Sequence, residues 1–192
     1  MKKTLFSLAI AALFSVATTT TVSAQTKMKK MPGTVMVGGA AMYPTKNIVE
    51  NAVNSKDHTT LVAAVKAAGL VETLSSAGPF TVFAPTNAAF DKLPAGTVET
   101  LVKPENKATL TKILTYHVVA GRMTSADLMK AIKAGKGTAT LKTVSGGTLT
   151  AMMKGKAIEL KDEKGGVSTV TIADVMQSNG VIHVVNTVLM PK

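Results

Sequence analysis

The most informative absence in this 192-residue chain is cysteine, of which it has none. Without cysteine there can be no disulfide, no zinc–thiolate site, no iron–sulfur cluster and no thiol nucleophile. No stretch approaches the roughly 18 to 20 uninterrupted apolar residues that a membrane-spanning helix requires. The hydrophobic fraction of 46% is nevertheless too high for a fully disordered chain. The composition therefore predicts a soluble globular protein of about one domain that does not span a membrane.

Residues 1–24 have the pattern of a secretory signal sequence. Lys2 and Lys3 supply the charged start, residues 5–16 are mostly apolar, and the small residues Val-Ser-Ala end at Ala24. Cleavage after Ala24 would remove two lysines and lower the formal charge from +11 to +9. Because no cysteine follows the signal, the lipid anchor of bacterial lipoproteins has no residue to attach to. We expect a secreted or periplasmic protein with a cleaved signal peptide and no lipid anchor.

Residues 25–44 are expected to form a flexible tail. They contain lysine, glycine and four methionines but no acidic residue, and they show little periodicity. Met28 and Met31 have a spacing that could suit Cu(I), but copper sites of this kind usually recruit more methionines or a histidine, and the first histidine is His58. Incidental methionine is favoured, so no metal or cofactor is expected.

Residues 45–192 are expected to form the folded domain, which is long enough to bury a core without disulfides. Its first half has helical periodicity, as in Leu61, Val62 and Val65, interrupted by a short strand that begins at Phe80. After Gly137 the pattern changes to β-branched strands separated by glycine turns. Helices followed by antiparallel strands predict an α+β domain.

Three segments of this domain carry a family resemblance. GPFTVFAPTNAAF (residues 78–90), the pair Tyr116-His117 and NGVIHVVNTVLMP (residues 179–191) resemble, in order and spacing, the two signature blocks and the central Tyr-His motif of the fasciclin-like (FAS1) domain family. The chain is similar to a bacterial secreted member with a single domain. The resemblance implies a wedge-shaped β-sandwich with N-terminal and flanking helices, and a non-enzymatic extracellular module that supports cell adhesion or contact with a matrix.

The resemblance also implies candidate contact residues. Adhesion by animal relatives involves the Tyr-His region and an Asp-Ile pair before the second block, which correspond here to Tyr116, His117, Asp174 and Val175. Val175 replaces the usual isoleucine, and Asn186 stands where many relatives have aspartate. We therefore expect an adhesion surface for cell-surface or matrix proteins or glycans, but not an integrin ligand.

The residues themselves favour structural roles for the same motifs. His117 and His183 lie in apolar strand segments, where histidine is usually a neutral core residue with a hydrogen-bonded ring nitrogen. The sequence has no nucleophile elbow, phosphate-binding loop or dinucleotide fingerprint, and its few carboxylates form no recognisable catalytic pair. We predict that the protein is not an enzyme, and we leave both the core and the contact interpretation of the Tyr-His pair open.

The second half of the chain is rich in lysine, which suggests an alternative function. A basic face could bind acidic polysaccharide or another polyanion, and the competing interpretation is a charged surface that only maintains solubility. Nucleic acid is not expected as a partner, because the protein is exported and aromatic residues do not alternate with these lysines. We expect a monomer. The candidate polyanion contacts are Lys133, Lys136, Lys142, Lys154, Lys156, Lys161 and Lys164.

Overall fold

The computed structural model describes residues 32–192. The predicted signal sequence and the first part of the expected tail, residues 25–31, lie outside the described residues. Within residues 32–192, no helix is both long enough and apolar enough to cross a membrane. The element order agrees with the α+β prediction, since all seven α-helices of the described residues precede the run of strands that begins at residue 138.

The helices are short and most lie in the first half of the domain. The α-helices of the described residues are α1 (Ile48–Ala52), α2 (Thr59–Ala68), α3 (Val71–Ser75), α4 (Asn87–Phe90), α5 (Thr97–Leu101), α6 (Lys107–Tyr116) and α7 (Ser125–Ala134). Side chains at their ends explain several boundaries. Asn47 and Thr124 form capping boxes at the starts of α1 and α7, and Gly69, with a φ of 73°, ends α2 in the left-handed conformation.

The strands form a small hairpin and one large sheet. Those of the described residues are β1 (Val35–Val37), β2 (Ala40–Met42), β3 (Phe80–Pro85), β4 (Val118–Ala120), β5 (Thr138–Lys142), β6 (Thr148–Lys154), β7 (Ala157–Lys161), β8 (Val167–Gln177) and β9 (Gly180–Val185). The large sheet has the strand order β4-β3-β9-β8-β7-β6-β5. The ladder from β5 to β9 is antiparallel, as predicted.

The pairing of β3 with β9 is the one parallel pairing of this sheet in the described residues. It joins Phe80 to Gly180 and Pro85 to Val185. This pairing brings the two signature blocks side by side, on the second and third strands of the seven-stranded sheet. A single bridge between Val119 and Thr143 links β4 with the segment after β5, so that the sheet curls until its two edges nearly meet.

Two hydrophobic clusters fill the domain. The first lies between the N-terminal helices and the β3–β9 part of the sheet, and includes Leu61, Leu74 and Ile182. The second lies within the curled sheet beneath α7 and includes Phe83, Tyr116 and Leu128. Burial of such aliphatic and aromatic side chains, at about 1.5–3 kcal/mol each, stabilises the fold without disulfides.

The folded region begins earlier than expected. Residues 34–42, part of the expected flexible tail, form the β1–β2 hairpin, in which Val37 and Met42 are buried in the first cluster. Gly38 and Gly39 make the turn, both with positive φ. Short strands of methionine, alanine and valine separated by glycines give a weak periodic signal, which is why the hairpin was not predicted.

Candidate interaction surfaces

Tyr116, the last residue of α6, is fully buried. Its hydroxyl donates to the Thr148 carbonyl at 2.6 Å and accepts from the Glu163 amide at 3.1 Å. Burial raises the pKa of Tyr116 to about 12. The side chain therefore ties α6 to the start of β6 and to the turn between β7 and β8, and it is not available to a partner on the folded surface.

His117 is also buried, and both of its ring nitrogens are occupied. Nδ1 lies 2.8 Å from the Ile113 carbonyl, and Nε2 accepts from the Leu189 amide at 3.0 Å. These two partners require a neutral ring with its proton on Nδ1. Burial lowers the pKa of His117 to about 4, which agrees with the neutral form. His117 thus has the properties of a core histidine.

The Asp174-Val175 pair lies on β8, where the ladder with β9 is irregular. Val175 is buried, whereas Asp174 is half-buried and adopts the left-handed conformation, with a φ of 58°. The Asp174 carboxylate accepts hydrogen bonds from the backbone amide of Ser125, at 2.7 Å, and from the Ser125 hydroxyl. This carboxylate therefore satisfies a backbone amide in the first turn of α7.

His183 on β9 lies beside Asp174 in the same network. Its Nε2 is 2.8 Å from the Met123 carbonyl, and its Nδ1 accepts from the Asp174 amide at 3.3 Å. The ring stacks on Phe83 with a centroid distance of 5.6 Å. Burial lowers the pKa of His183. The network therefore positions the loop before α7 relative to the centre of the sheet.

Two buried polar residues have larger structural roles than the sequence indicated. Asn179 accepts from the Ile48 amide at 3.1 Å and donates to the carbonyls of Leu74, at 2.8 Å, and Ser76, at 2.9 Å. Asp162 accepts from three backbone amides, including that of Met190 at 2.8 Å. The sequence pattern indicated both residues only as turn formers, because their distant partners depend on the tertiary fold.

A polar groove of about 520 Å³ lies where the two signature blocks begin. Its lining residues are Asn47, Ser75, Ser76, Ala77, Gly78, Pro79, Arg122, Ser178 and Asn179. The Arg122 side chain is exposed, and its Nη2 donates to the carbonyls of Gln177 at 3.3 Å and Ser178 at 3.4 Å. These contacts hold Arg122, which lies in the loop between β4 and α7, against the end of β8, three and four residues beyond Asp174. Sequence reasoning did not identify this arginine.

The seven candidate lysines are all exposed, but they form two groups rather than one patch. The first lysine group lies at the end of α7 and in the β6–β7 turn, and consists of Lys133, Lys136, Lys154 and Lys156. The second lysine group lies toward the opposite end of the same strands, and consists of Lys142, Lys161 and Lys164. Across residues 32–192 the only salt bridge joins Lys154 to Glu159 at 3.2 Å.

Potential metal ligands are dispersed in the same part of the chain. In residues 32–192, no three histidine, aspartate or glutamate side chains lie close enough together to hold an ion. His58 is buried at 3% exposure, and its Nδ1 lies 2.9 Å from the Ser55 hydroxyl. Its Nε2 has no hydrogen-bond partner among the described residues.

Comparison with known proteins identifies the family of the chain. The family model of the Fasciclin domain matches residues 56–191. The chain belongs to the fasciclin domain family. The fasciclin relatives include Protein sll1483 of Synechocystis, which is 46% identical over 172 residues covering 88% of this chain and 86% of the relative. Cell surface glycolipoprotein MPB83 of Mycobacterium bovis is 35% identical over 173 residues covering 88% of this chain and 70% of the relative.

The fasciclin fold is confirmed by a solved structure. The chain resembles a FAS1 domain pair from the insect cell adhesion molecule fasciclin I, with a TM-score of 0.66 and 18% identity over 76% of this chain and 51% of that one. This chain therefore spans about half the length of that pair. At this identity the likeness establishes the fold, and the predicted α+β wedge with flanking helices is confirmed. Fasciclin domains are generally adhesion-type proteins without catalytic activity.

Proposed function

We propose that this fasciclin domain is an exported, non-enzymatic binding module that supports adhesion to cell surfaces or matrix. The observation that carries the proposal is the polar groove at Arg122, which joins the beginnings of both signature blocks. An arginine beside serine hydroxyls offers fixed donors and acceptors for a carboxylate, a glycan or a peptide backbone. The resemblance to a cell adhesion molecule and to a cell surface glycolipoprotein supports the same function.

In this proposal the buried motif residues support the contact surface from below. Tyr116 ties α6 to β6, His117 holds the C-terminal segment, Val175 packs β8 into the first cluster, and Asp174 fixes the start of α7. Arg122 and the hydroxyl of Ser178 are exposed to a partner. The partners in this proposal are cell-surface or matrix proteins or glycans, and the protein acts as a monomer in the periplasm or outside the cell, after cleavage of the signal peptide.

An array of glycans and matrix proteins tests this function. The purified protein is expected to bind at least one class of component, and Arg122→Ala is expected to weaken that binding without changing thermal unfolding. Lys103→Ala is the control of equal charge, since Lys103 is exposed and lies outside the groove. Equal loss in both variants, or full binding by Arg122→Ala, would contradict a contact role for the groove.

The exposed lysines support a second candidate function, the binding of acidic polysaccharide. Six of the seven candidate lysines have no carboxylate partner among the described residues, so their positive charge is available to a polyanion. Retention on immobilised heparin should then fall steeply as salt rises, since screening weakens contacts between exposed charges. No retention, or retention that salt does not change, would contradict this function.

Variants can identify which end of the strands binds the polyanion. Glutamine at Lys142, Lys161 and Lys164 removes the charge of the second lysine group. Glutamine at Lys56, Lys103 and Lys107 removes the same charge from other exposed positions. A polyanion site at the second lysine group predicts that only the first of these triple variants elutes much earlier. Equal elution of the two would indicate attraction by net charge alone.

A further inference from the structure

Arg122, which lines the polar groove, is the single arginine among the 22 lysine and arginine residues of the chain. Because lysine supplies the positive charge at every other basic position, charge alone does not account for arginine here. Arginine differs from lysine in having a planar fork of N–H donors that can bind both oxygens of a carboxylate. This difference gains meaning only in the fold, which places the guanidinium in a groove. The residue type at position 122 therefore favours recognition of a planar anion.

Most of the Arg122 fork is available to a ligand. Nη2 donates to the carbonyls of Gln177 and Ser178 at 3.3 and 3.4 Å, which are long distances for N–H···O bonds. Nε and Nη1 have no hydrogen-bond partner among the described residues, and no carboxylate in residues 32–192 forms a salt bridge with this guanidinium. The intramolecular contacts thus orient Arg122 but leave its charge and two of its nitrogens unpaired.

The backbone on both sides of Arg122 is fixed to β3. The buried hydroxyl of Thr81 donates to the Gly121 carbonyl at 2.7 Å and accepts from the Met123 amide at 2.9 Å. The Gly121 amide donates to the Pro79 carbonyl at 2.9 Å. A ligand therefore meets a guanidinium that is carried by an ordered loop, and such preorganisation lowers the entropy cost of binding.

The rest of the groove offers hydroxyl groups on an equally fixed backbone. Asn179 holds the segment after α3 by donating to the carbonyls of Leu74 and Ser76, so the groove exists without any displacement of helices. The hydroxyls of Ser75 and Ser178 line the groove and make no hydrogen bond among the described residues. No carboxylate and no aromatic ring belongs to the lining. The lining therefore suits a ligand that has several hydroxyl groups and one negative charge.

We propose that this groove binds a uronic-acid unit of an acidic glycan, an inference that rests on the proposed function and names the class of its ligand. The fork of Arg122 binds the two carboxylate oxygens, and hydroxyls of the sugar contact those of Ser75 and Ser178. A volume of about 520 Å³ lies within the range of about 300–1,000 Å³ that is usual for small-molecule sites. The site is distinct from both lysine groups, because none of the seven candidate lysines lines the groove.

The test titrates the purified protein with a tetrasaccharide of galacturonic acid and with its full methyl ester, using calorimetry and nitrogen-15 NMR. The ester keeps the ring hydroxyls but has no negative charge. The acid is expected to bind, and the ester to bind at least about tenfold more weakly, as for the loss of hydrogen bonds to a charged group. Because the chain has one arginine, its Nε–H signal reports on Arg122 directly and should shift with the acid only.

Variants separate the arginine fork from positive charge in general. Arg122→Gln is expected to weaken binding of the acid at least about tenfold. Arg122→Lys keeps the charge without the fork, so its affinity should lie between those of the wild type and Arg122→Gln. Lys103→Gln is the matched control, and a triple glutamine variant at Lys142, Lys161 and Lys164 controls for the second lysine group. Neither control is expected to change the affinity for the acid.

Several results would overturn the uronic-acid assignment. They are a lack of binding by the acid, equal binding of the acid and its ester, wild-type affinity in Arg122→Lys, and a loss of binding in the lysine triple variant instead of Arg122→Gln. The proposed function is tested separately by the array of glycans and matrix proteins. If binding on the array still depends on Arg122, the groove has a different ligand, such as a protein or a neutral glycan. If it does not, the contact role of the groove fails as well.

Discussion

The Leu189 amide donates a hydrogen bond to His117 Nε2 at 3.0 Å, across 72 residues of sequence. This bond joins the central Tyr-His motif to the end of the second signature block. It requires an unprotonated Nε2, so the same contact that fastens the C-terminal segment is sensitive to acid.

Stability is therefore expected to fall as the pH falls from neutral toward the folded-state pKa of His117. That pKa is about 4, against an ordinary value of 6.5. Between these two pKa values the unfolded chain binds a proton at this residue that the folded chain does not, so acid favours unfolding. The contribution of His117 to stability is fully present above the unfolded-state pKa and is lost as the pH falls through the folded-state pKa. Complete titration of this one group removes about 3 kcal/mol. Urea unfolding at a series of pH values measures the loss.

The variant His117→Gln separates this contribution from those of the other histidines. It should be less stable at every pH, because the ring and its contacts are lost, and its stability should depend less on pH. His58 and His183 also have a lowered pKa, so part of the pH dependence is expected to remain. An unchanged slope in His117→Gln would contradict the assignment.

Removal of the Tyr116 hydroxyl is expected to destabilise the domain by about 1–3 kcal/mol, because the Thr148 carbonyl and the Glu163 amide lose a buried partner. Tyr116→Phe keeps the ring and so preserves the packing of the second cluster. Chemical unfolding measures the loss, and the control is Tyr43→Phe, since Tyr43 is only half-buried and its hydroxyl has no hydrogen bond among the described residues. A loss in binding without a loss in stability would instead indicate a contact role for Tyr116.

Substitution of Asp174 should distinguish helix capping from partner contact. Asp174→Ala removes the acceptor for the Ser125 amide and places alanine in the left-handed region, at a combined cost of about 2–3 kcal/mol. Asp174→Asn keeps one acceptor oxygen and a residue that tolerates positive φ, so it should cost about 1 kcal/mol or less. Thermal unfolding measures which of the two variants is less stable. Equal stability of Asp174→Ala and Asp174→Asn would contradict the role of Asp174 as a cap for the Ser125 amide.

Asn179→Ala is expected to be the most damaging of these polar substitutions. It leaves the Ile48 amide and the carbonyls of Leu74 and Ser76 without their partner, a loss of about 3 kcal/mol or more. The neighbouring Ser178→Ala is the control, because Ser178 is exposed and its hydroxyl has no hydrogen bond among the described residues; it should change stability by less than about 0.5 kcal/mol. A mild effect in Asn179→Ala would show that other groups replace its bonds.

The positions of helices and strands could be predicted from the sequence wherever periodicity and turn residues agree. The alternation in β5 to β7 and the glycines between these strands gave their limits to within a few residues. The parallel pairing of Phe80 with Gly180 could not be predicted, because an apolar strand pattern does not specify its neighbour. The β8 irregularity at Asp174 could not be predicted for a similar reason, since Ser125, which its carboxylate contacts, lies 49 residues away in the sequence.

The candidate site was less predictable than the fold. The resemblance identified Tyr116 and His117 as important residues, but it could not distinguish a core residue from a contact residue, because both roles constrain a side chain. The distinction depends on the partners Thr148 and Leu189, which lie far away in sequence. Arg122 gave no signal, because its position beside β8 is created by the folding of the sheet.

The parallel contact between β3 and β9 has a consequence for how the chain is made. Its partners are about a hundred residues apart, and β9 is the last strand of the described residues, so this pairing cannot form until nearly all of the chain has been synthesised. Closing so long a segment is slow because its entropy is lost before the contacts form. A growing chain that cannot complete its fold stays unfolded for longer. Transport of an unfolded chain across a membrane is the form of export that the signal sequence expected in residues 1–24 would serve.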